Sequence, residues 1–324
     1  MTKIRRLGAL LCLLTFLPLA AGAGEALPSP EMETAADELL PSPEMKTAAD
    51  ELLLMPPREY EFIHKAYREY DSETLKYRME TFNSKGVRCY LTKVWMKDPA
   101  RQIRKVTSEW QKNTMFPKTM AETIPEAALA INGSGYWSPV YQDVPEEYPG
   151  DVKDYFYTPW GALTVTDGQV YRQLDLPYYG LTLEAEGLQL YNGVSPAEVL
   201  THNPLQTWSF RDQCVLQLHG ETLIPEDWRF AQVKAVRTVI GRMDRNNYLI
   251  LSVSAIGGLG MTLFEVNSFF RKHFPDLEWL YNLDGGPSTA LIARKKDARQ
   301  MRKVLGGKAK DIDIMAFVEL PGAE

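Results

Sequence analysis

The sequence predicts an α+β fold, a single domain of mainly antiparallel strands with short capped helices. Three observations carry this. Alternating apolar runs come in pairs joined by turn residues, the pattern of hairpins. Helix-start signals recur, yet each opens only a short apolar face. Nowhere do strands and helices alternate regularly, as a parallel βαβ sheet requires. At 324 residues, 45% apolar and 24% charged, the chain has enough material for a sizeable core.

The first segment reads as an export leader. Lys3, Arg5 and Arg6 precede the apolar run from Leu7 to Ala20, and Ala21-Gly22-Ala23 supplies the small residues of a cleavage site, expected after Ala23. Cys12 lies inside the apolar run and lacks the small residue before it that lipidation needs. The mature chain is then expected to be exported, periplasmic or secreted, with no integral membrane segment after cleavage, because no later stretch approaches the ~20 apolar residues of a membrane span.

Residues 24–57 read as a flexible tether. LPSPEMETAADEL at 27–39 is repeated as LPSPEMKTAADEL at 40–52, and the segment holds six of the 21 prolines, eight acidic residues and no aromatic. Such a composition buries too little surface to offset the entropy of ordering. The domain proper is expected over 58–324.

Within it, Tyr60, Ile63, Tyr67 and Tyr70 recur at helical spacing and predict a helix. Leu75, Tyr77 and Met79, then Val87, Cys89 and Leu91, predict two strands joined at Asn83–Gly86. Asp98-Pro99, Thr119-x-x-Glu122 and Ser195-Pro196-x-Glu198 predict helix starts. Thr238–Met243 and Tyr248–Ala255 form a second hairpin around Asp244–Asn247. Thr262-x-x-Glu265 is a capping box opening a helix with Leu263, Val266, Phe270 and Phe274 on one face, stopped by Pro275. A buried strand at Trp279–Leu283 leads into Asp284-Gly285-Gly286-Pro287-Ser288-Thr289, and Ala290–Ala293 resumes the apolar pattern. The last strand, Asp311–Leu320, alternates Ile312, Ile314, Ala316 and Val318 on its inner face. Asp311 and Asp313 then face outward, as a solvated edge in preference to a metal-binding pair.

Charge and residue types exclude several functions. With 36 Lys+Arg against 42 Asp+Glu the net charge is −6, so nothing draws the chain onto nucleic acid. The four histidines, His64, His202, His219 and His273, form no metal-ligand pair. No GxSxG occurs, and Gly306-Gly307-Lys308-Ala309 lacks the hydroxyl residue of a P-loop. Cys89 and Cys214 remain after leader removal, and whether they pair is open.

Three segments carry the chemical interest. Ala128–Gly135 delivers Asn132 from a small-residue strand into a turn containing Gly133 and Ser134, whose N–H groups could approach an anion or a sugar. Arg237, with Thr238 after it, stands at the mouth of a strand, where a guanidinium fork could hold a phosphate. Asp284 emerges from a buried strand beside Gly285, Gly286, Ser288 and Thr289, a carboxylate among several donors.

In order, AINGSG at 130–135, RTVIG at 237–241, GMTL at 260–263 and NLDGGPST at 282–289 resemble the phosphodiester glycosidase family over about residues 80–320. YTPWGALTVTDG at 157–168 resembles the family's strand after the Asn-Gly turn. Pro287 stands where a third glycine is common, an Asp-Gly-Arg usual after the strand at 250–256 is missing, and His219-Gly220-Glu221 replaces a Gly-Pro pair. The resemblance implies a hydrolase acting on a carbohydrate phosphodiester in an envelope or extracellular glycan. It also implies Asp284, Arg237 and Asn132 as catalytic residues and Gly133, Ser134, Thr238, Gly285, Gly286, Ser288 and Thr289 as substrate-binding residues. A non-catalytic glycan-binding envelope module is the alternative. Metal use is open, since acidic loops could hold Ca²⁺ through oxygen ligands.

Such a reaction suits this set. The leaving group of a sugar 1-phosphodiester is already a stable anion, so a strong general acid is less necessary and one carboxylate could suffice.

Overall fold

The computed structural model describes residues 62–321, apart from 140–146, 212, 296, 297 and 299. The expected leader, the tether with its repeat, and Tyr60 lie outside the described residues.

Numbered along the chain, the strands of the larger sheet run in the spatial order β1 (Phe62–Asp71), β2 (Leu75–Ser84), β3 (Val87–Met96), β14 (Asn247–Val253), β13 (Arg237–Arg242), β15 (Trp279–Asn282), β11 (Val215–Leu218) and β12 (Glu221–Thr222). A second sheet has the order β17 (Arg302–Gly306), β16 (Ala290–Ala293), β5 (Ala127–Asn132), β18 (Asp313–Val318) and β4 (Ile103–Thr107). Smaller sheets join β10 (Gln206–Trp208), β8 (Tyr178–Glu184) and β9 (Gly187–Val194), and pair β6 (Leu163–Thr166) with β7 (Gln169–Gln173). Every pairing among these strands is antiparallel, as the hairpin pattern predicts. The helices are short: α1 (Pro99–Gln102), α2 (Pro117–Glu122), α3 (Pro196–Thr201), α4 (Arg229–Gln232) and α5 (Leu263–His273).

The main core lies between the two large sheets. Leu75, Tyr77, Val94, Ile250 and Tyr281 of the first meet Leu129, Ile131, Leu291, Met315 and Phe317 of the second. The outer face of the first sheet is covered by α5, whose Leu263, Val266 and Phe270 pack on Leu249, Leu251 and Leu280. Met120 and Ala121 of α2 cover the outer face of the second against Ala130, Ile314 and Ala316. Each fully buried Leu or Phe stabilises this arrangement by roughly 1.5–3 kcal/mol. The central strands are buried on both faces, which explains their nearly continuous apolar runs.

The capping box opens α5 as expected. Thr262 Oγ1 accepts from the Glu265 amide at 3.0 Å, and the Thr262 amide donates to Glu265 Oε2 at 3.0 Å. Ser195 likewise caps α3 by accepting from the Glu198 amide. The β2–β3 hairpin closes on Lys85 and Gly86, both at positive φ (49° and 84°), the two-residue turn that matches strand twist.

Three expectations need correction. Residues 62–71 form β1 and not a helix. Register shifts after Phe62 and His64 break the two-residue alternation, and the tyrosine spacing then imitates a helical period. The second helix begins at Pro117, with Phe116 before it, so Thr119 lies inside and Glu122 ends it. Proline's fixed φ suits the first helical position and sets the start there. Finally, Asp313 lies on the face of β18 that turns Met315 and Phe317 into the core between the sheets, and Asp311 bridges to Met115, so Asp311 and Asp313 are buried, at 1% and 0% exposure, and form no solvated edge.

Cys89 and Cys214 are both buried and unbridged. Cys214 lies in the core between the sheets and Cys89 in the core under α5. Among the described residues no helix is long and apolar enough to cross a membrane.

Candidate active site

The site is assembled where β5, β13, β15 and β18 end together. Strand β5 pairs with β18 so that Asn132 lies opposite Ile314, while β13 pairs with β15 so that Val239 lies opposite Asn282. Asn132 ties these strands together. Its Nδ2 donates to the Asp284 carbonyl at 2.7 Å, and its Oδ1 accepts from Thr238 Oγ1 at 2.6 Å and the Ala290 amide at 3.0 Å. Fully buried and bonded at both ends of its amide, Asn132 holds the Asp284 loop in place.

The glycine turn after Asn132 does bind an anion, but the anion is internal. Ser134 donates its amide to Asp313 Oδ1 at 2.7 Å, and Gly133 donates to the Asp313 carbonyl at 3.2 Å. A Cβ on Gly133 would overlap the Asp313 carboxylate, which explains the glycine. The other Asp313 oxygen, Oδ2, lies 3.2 Å from Lys105 Nζ, which also donates to the Thr207 carbonyl at 2.6 Å. Burial lowers the Lys105 pKa, and the facing carboxylate opposes that shift.

Asp284 keeps part of its surface open to solvent. Its Oδ1 accepts from the Gly285 amide at 2.7 Å. Protein crowded around the carboxyl is the largest cause raising its pKa to about 6; the Gly285 amide, the Ser288 hydroxyl and Arg211 pull the other way, and Asp313 adds to the rise. Close by is Asp311. Burial first, then the charge of Asp284, pushes its carboxyl well above the usual range, with Ser288 opposing. The Ser288 hydroxyl lies against Asp311, yet neither buried Asp311 oxygen receives a hydrogen bond of good geometry. Unpartnered buried carboxyl oxygens are costly when charged, which favours the protonated form.

Arg237 is placed differently from the expectation. Its guanidinium is buried and turned into the chain: Nη2 donates to the Val233 carbonyl at 2.8 Å and the Phe230 carbonyl at 3.0 Å, and Nε to the Met261 carbonyl at 3.4 Å. It also lies 4.5 Å from the Phe230 ring centre, and burial lowers its pKa to about 10. Two of its three nitrogens are therefore committed to backbone, leaving little of the expected phosphate fork. The arginine at the mouth of the site is Arg211, which is exposed, lies across the rings of Trp160 (4.6 Å) and Phe230 (5.3 Å), and acts on the Asp284 carboxyl. No described residue forms an ion pair with it.

Of the expected substrate contacts, Ser134, Thr238 and Thr289 are buried within the fold. Gly285 and Gly286 remain partly exposed beside Asp284, and Gly286 adopts φ 59°, which glycine tolerates. Ser288 is nearly buried between the two carboxyls. Gly133 serves Asp313 as described. His219 and Glu221 are exposed at the β11–β12 turn. Among the described residues, no group of three or more His, Cys, Asp or Glu side chains is arranged to hold a metal ion, and the Lys105 ammonium already supplies positive charge at Asp313. The calcium that the acidic loops left open thus has no evident donor set among them.

Sequence reasoning missed Arg211, Asp311, Asp313 and Lys105 as a group. The Asp-x-Asp spacing was the available signal. Arg211 had none, since its role depends on Trp160 and Phe230 arriving from distant segments.

The profile of the phosphodiester glycosidase family matches residues 126–310, more than half of the chain. No curated protein matches in sequence. Among solved structures, the catalytic domain of zebrafish N-acetylglucosamine-1-phosphodiester alpha-N-acetylglucosaminidase, auto-inhibited by its pro-peptide, superposes with a TM-score of 0.57 at 16% identity, covering 82% of this chain and 89% of that one. A hypothetical protein from Synechocystis gives 0.54 at 14% identity, covering 76% of this chain and 63% of that one. At such identities the likeness is one of fold. Together with the profile match over the strands that carry Asn132, Arg237 and Asp284, it establishes that the chain belongs to the phosphodiester glycosidase family.

Proposed function

We propose that the protein hydrolyses the bond between a sugar's anomeric carbon and a phosphodiester, with Asp284 as the ionisable group at the reacting centre and Arg211 on the phosphate. The observation that carries this reading is the crowded carboxyl of a partly exposed aspartate, its pKa raised to about 6, within the electrostatic reach of an exposed arginine stacked on aromatic rings. Above that pH Asp284 is ionised. It can then take a proton from water as water bonds to the anomeric carbon, or steady positive charge developing there.

The bond that breaks is between the anomeric carbon and the phosphate oxygen, and its electron pair leaves with the phosphate. That group departs as a stabilised anion and needs a cation more than a proton. Arg211 supplies planar, paired donors at the open edge of the site. Burial and the charge of Asp284 push Asp311 toward its protonated form, and Asp313 pairs with Lys105 at 3.2 Å, which leaves Asp284 as the carboxylate that faces the open site. Asn132, Thr238 and Arg237 hold the loop and strands that carry it.

An export leader at residues 1–23 would place this activity on an envelope or extracellular glycan, and this location belongs to the proposal. The test is incubation of the secreted protein and Asp284→Asn with a chromogenic sugar 1-phosphodiester. Turnover by the first and not by the second supports the reading. Sugar binding without turnover in either would favour the glycan-binding module.

A further inference from the structure

A second cleft adjoins the carboxylates. Its cavity is about 440 Å³, ample for one or two sugar rings, and its lining includes Trp110, Thr158, Thr164, Thr166, Tyr171 and Arg172. Two contacts tie it to the site. Trp110 Nε1 donates at 3.3 Å to the carbonyl of Ile312, the residue between Asp311 and Asp313. On the other wall, Thr158-Pro159 line the cleft and the next residue, Trp160, carries the Arg211 guanidinium.

The lining is built from three parts. Alternation on β6 sends Leu163 and Val165 into a small core with Tyr178 and Val199, and turns Thr164 and Thr166 toward the cleft. Both hydroxyls are buried, at 2% and 9% residue exposure, and neither has a hydrogen-bond partner. A buried polar atom without a partner costs free energy in the empty protein and is available to a ligand that supplies one. At the mouth, Tyr171 is 60% exposed and meets Trp110 edge to face at 5.3 Å between ring centres. Large exposed aromatic faces beside polar donors suit the apolar face and hydroxyl rim of a pyranose. Arg172, across β6–β7 from Thr164, donates from Nη1 to the Pro159 carbonyl at 2.7 Å and also bonds Thr158 Oγ1. It braces the wall that leads to Arg211.

We infer that this cleft is a saccharide-binding subsite, which takes a sugar unit of the substrate beyond the bond that is cleaved. Thr164 and Thr166 bond its hydroxyls, and Tyr171 with Trp110 covers its apolar face. The inference rests on the carbohydrate reading of the neighbouring carboxylates but not on turnover.

The experiment measures binding and turnover separately on the full secreted chain. Glucose and N-acetylglucosamine tetrasaccharides, in α- and β-linked forms, are titrated to about 10 mM with indole NMR signals as the readout, and Trp110→Phe identifies the Trp110 signal. At least one tetrasaccharide should shift that signal. Tyr171→Ala should weaken its binding about tenfold, and Thr164→Val with Thr166→Val by a similar factor. Because the valines replace unpartnered hydroxyls with methyl groups of the same size, the melting temperature should stay level or rise, which separates lost binding from lost folding. Turnover of a single-sugar aryl phosphodiester by the parent chain is measured alongside, as the readout of the hydrolase reading alone.

If none of the tetrasaccharides moves the Trp110 signal, or binding persists undiminished in the variants, the subsite is refuted. If they bind as described while no phosphodiester is turned over, the subsite stands and only the hydrolase reading fails.

Discussion

The side-chain amide of Asn132 donates to the backbone carbonyl of Asp284 at 2.7 Å, joining residues 152 positions apart. Through this bond the Asn-Gly segment and the Asp-Gly-Gly segment become one structure, and in the proposed mechanism the asparagine holds the aspartate's loop. Asn132→Ala should leave Thr238 Oγ1 and the Ala290 amide without their buried acceptor, costing about 2–4 kcal/mol of stability. Chemical denaturation measures it. A loss of activity with unchanged stability would instead place Asn132 on the substrate.

The two arginines should separate by substrate. Arg211→Lys keeps the charge but loses the paired donors, so kcat/KM on a sugar 1-phosphodiester should fall roughly ten- to hundredfold. A substrate with an uncharged aryl leaving group should be nearly indifferent. Arg237→Lys should lower the melting temperature and reduce both substrates equally, because its guanidinium holds the carbonyls of Phe230, Val233 and Met261. The reverse pattern, with the phosphate-specific loss at Arg237, would return the phosphate contact to that residue.

Asp311 gives the stability a pH dependence of known sign. Its carboxyl is raised in the folded protein, so its contribution is fully present below the unfolded pKa of about 4 and is lost as pH rises through the folded value. Asp284 acts in the same sense between about 4 and about 6. Asp311→Asn, which cannot ionise, should melt a few degrees higher than the parent at pH 8 and no higher at pH 4. Thermal melts across that range test it. An equal shift at both pH values would show that the effect is packing and not ionisation.

Gly133→Ala should disturb the site from behind, since the added methyl group would press on the carboxylate that Lys105 and the Ser134 amide hold. A loss of about 1–3 kcal/mol in stability is expected, as for other overpacked interiors. Gly168→Ala, at an open turn with no atom near its Cβ, controls for the loss of a glycine itself, though its φ of 73° adds some strain. Equal losses at the two positions would mean that Asp313 yields without cost.

Hairpins, capping boxes and buried strands were legible in the sequence because each depends on neighbours a few residues away. The Thr262–Glu265 box and the Lys85-Gly86 turn are of this kind. So was Asp284, which emerges from an apolar strand among glycines. Which face of β18 turns inward was not legible: Ile314 and Ala316 read as the inner face until α2 is known to cover them, and Met315 and Phe317 then carry Asp313 toward the core between the sheets. β1 was hidden by its bulges. The direction of the Arg237 side chain depends on the carbonyls of the segment at 230–233 and of Met261, which no local pattern encodes.

The central claim, that ionised Asp284 does the chemistry, is tested most directly by the pH dependence of kcat/KM on a sugar 1-phosphodiester. The rate should rise from acid pH and level off with an apparent pKa of about 6, and Asp284→Asn should lose about 10²–10⁴-fold activity together with that limb. A variant that keeps most of the activity, or an acid limb that stays in place when Asp284 is removed, would contradict it.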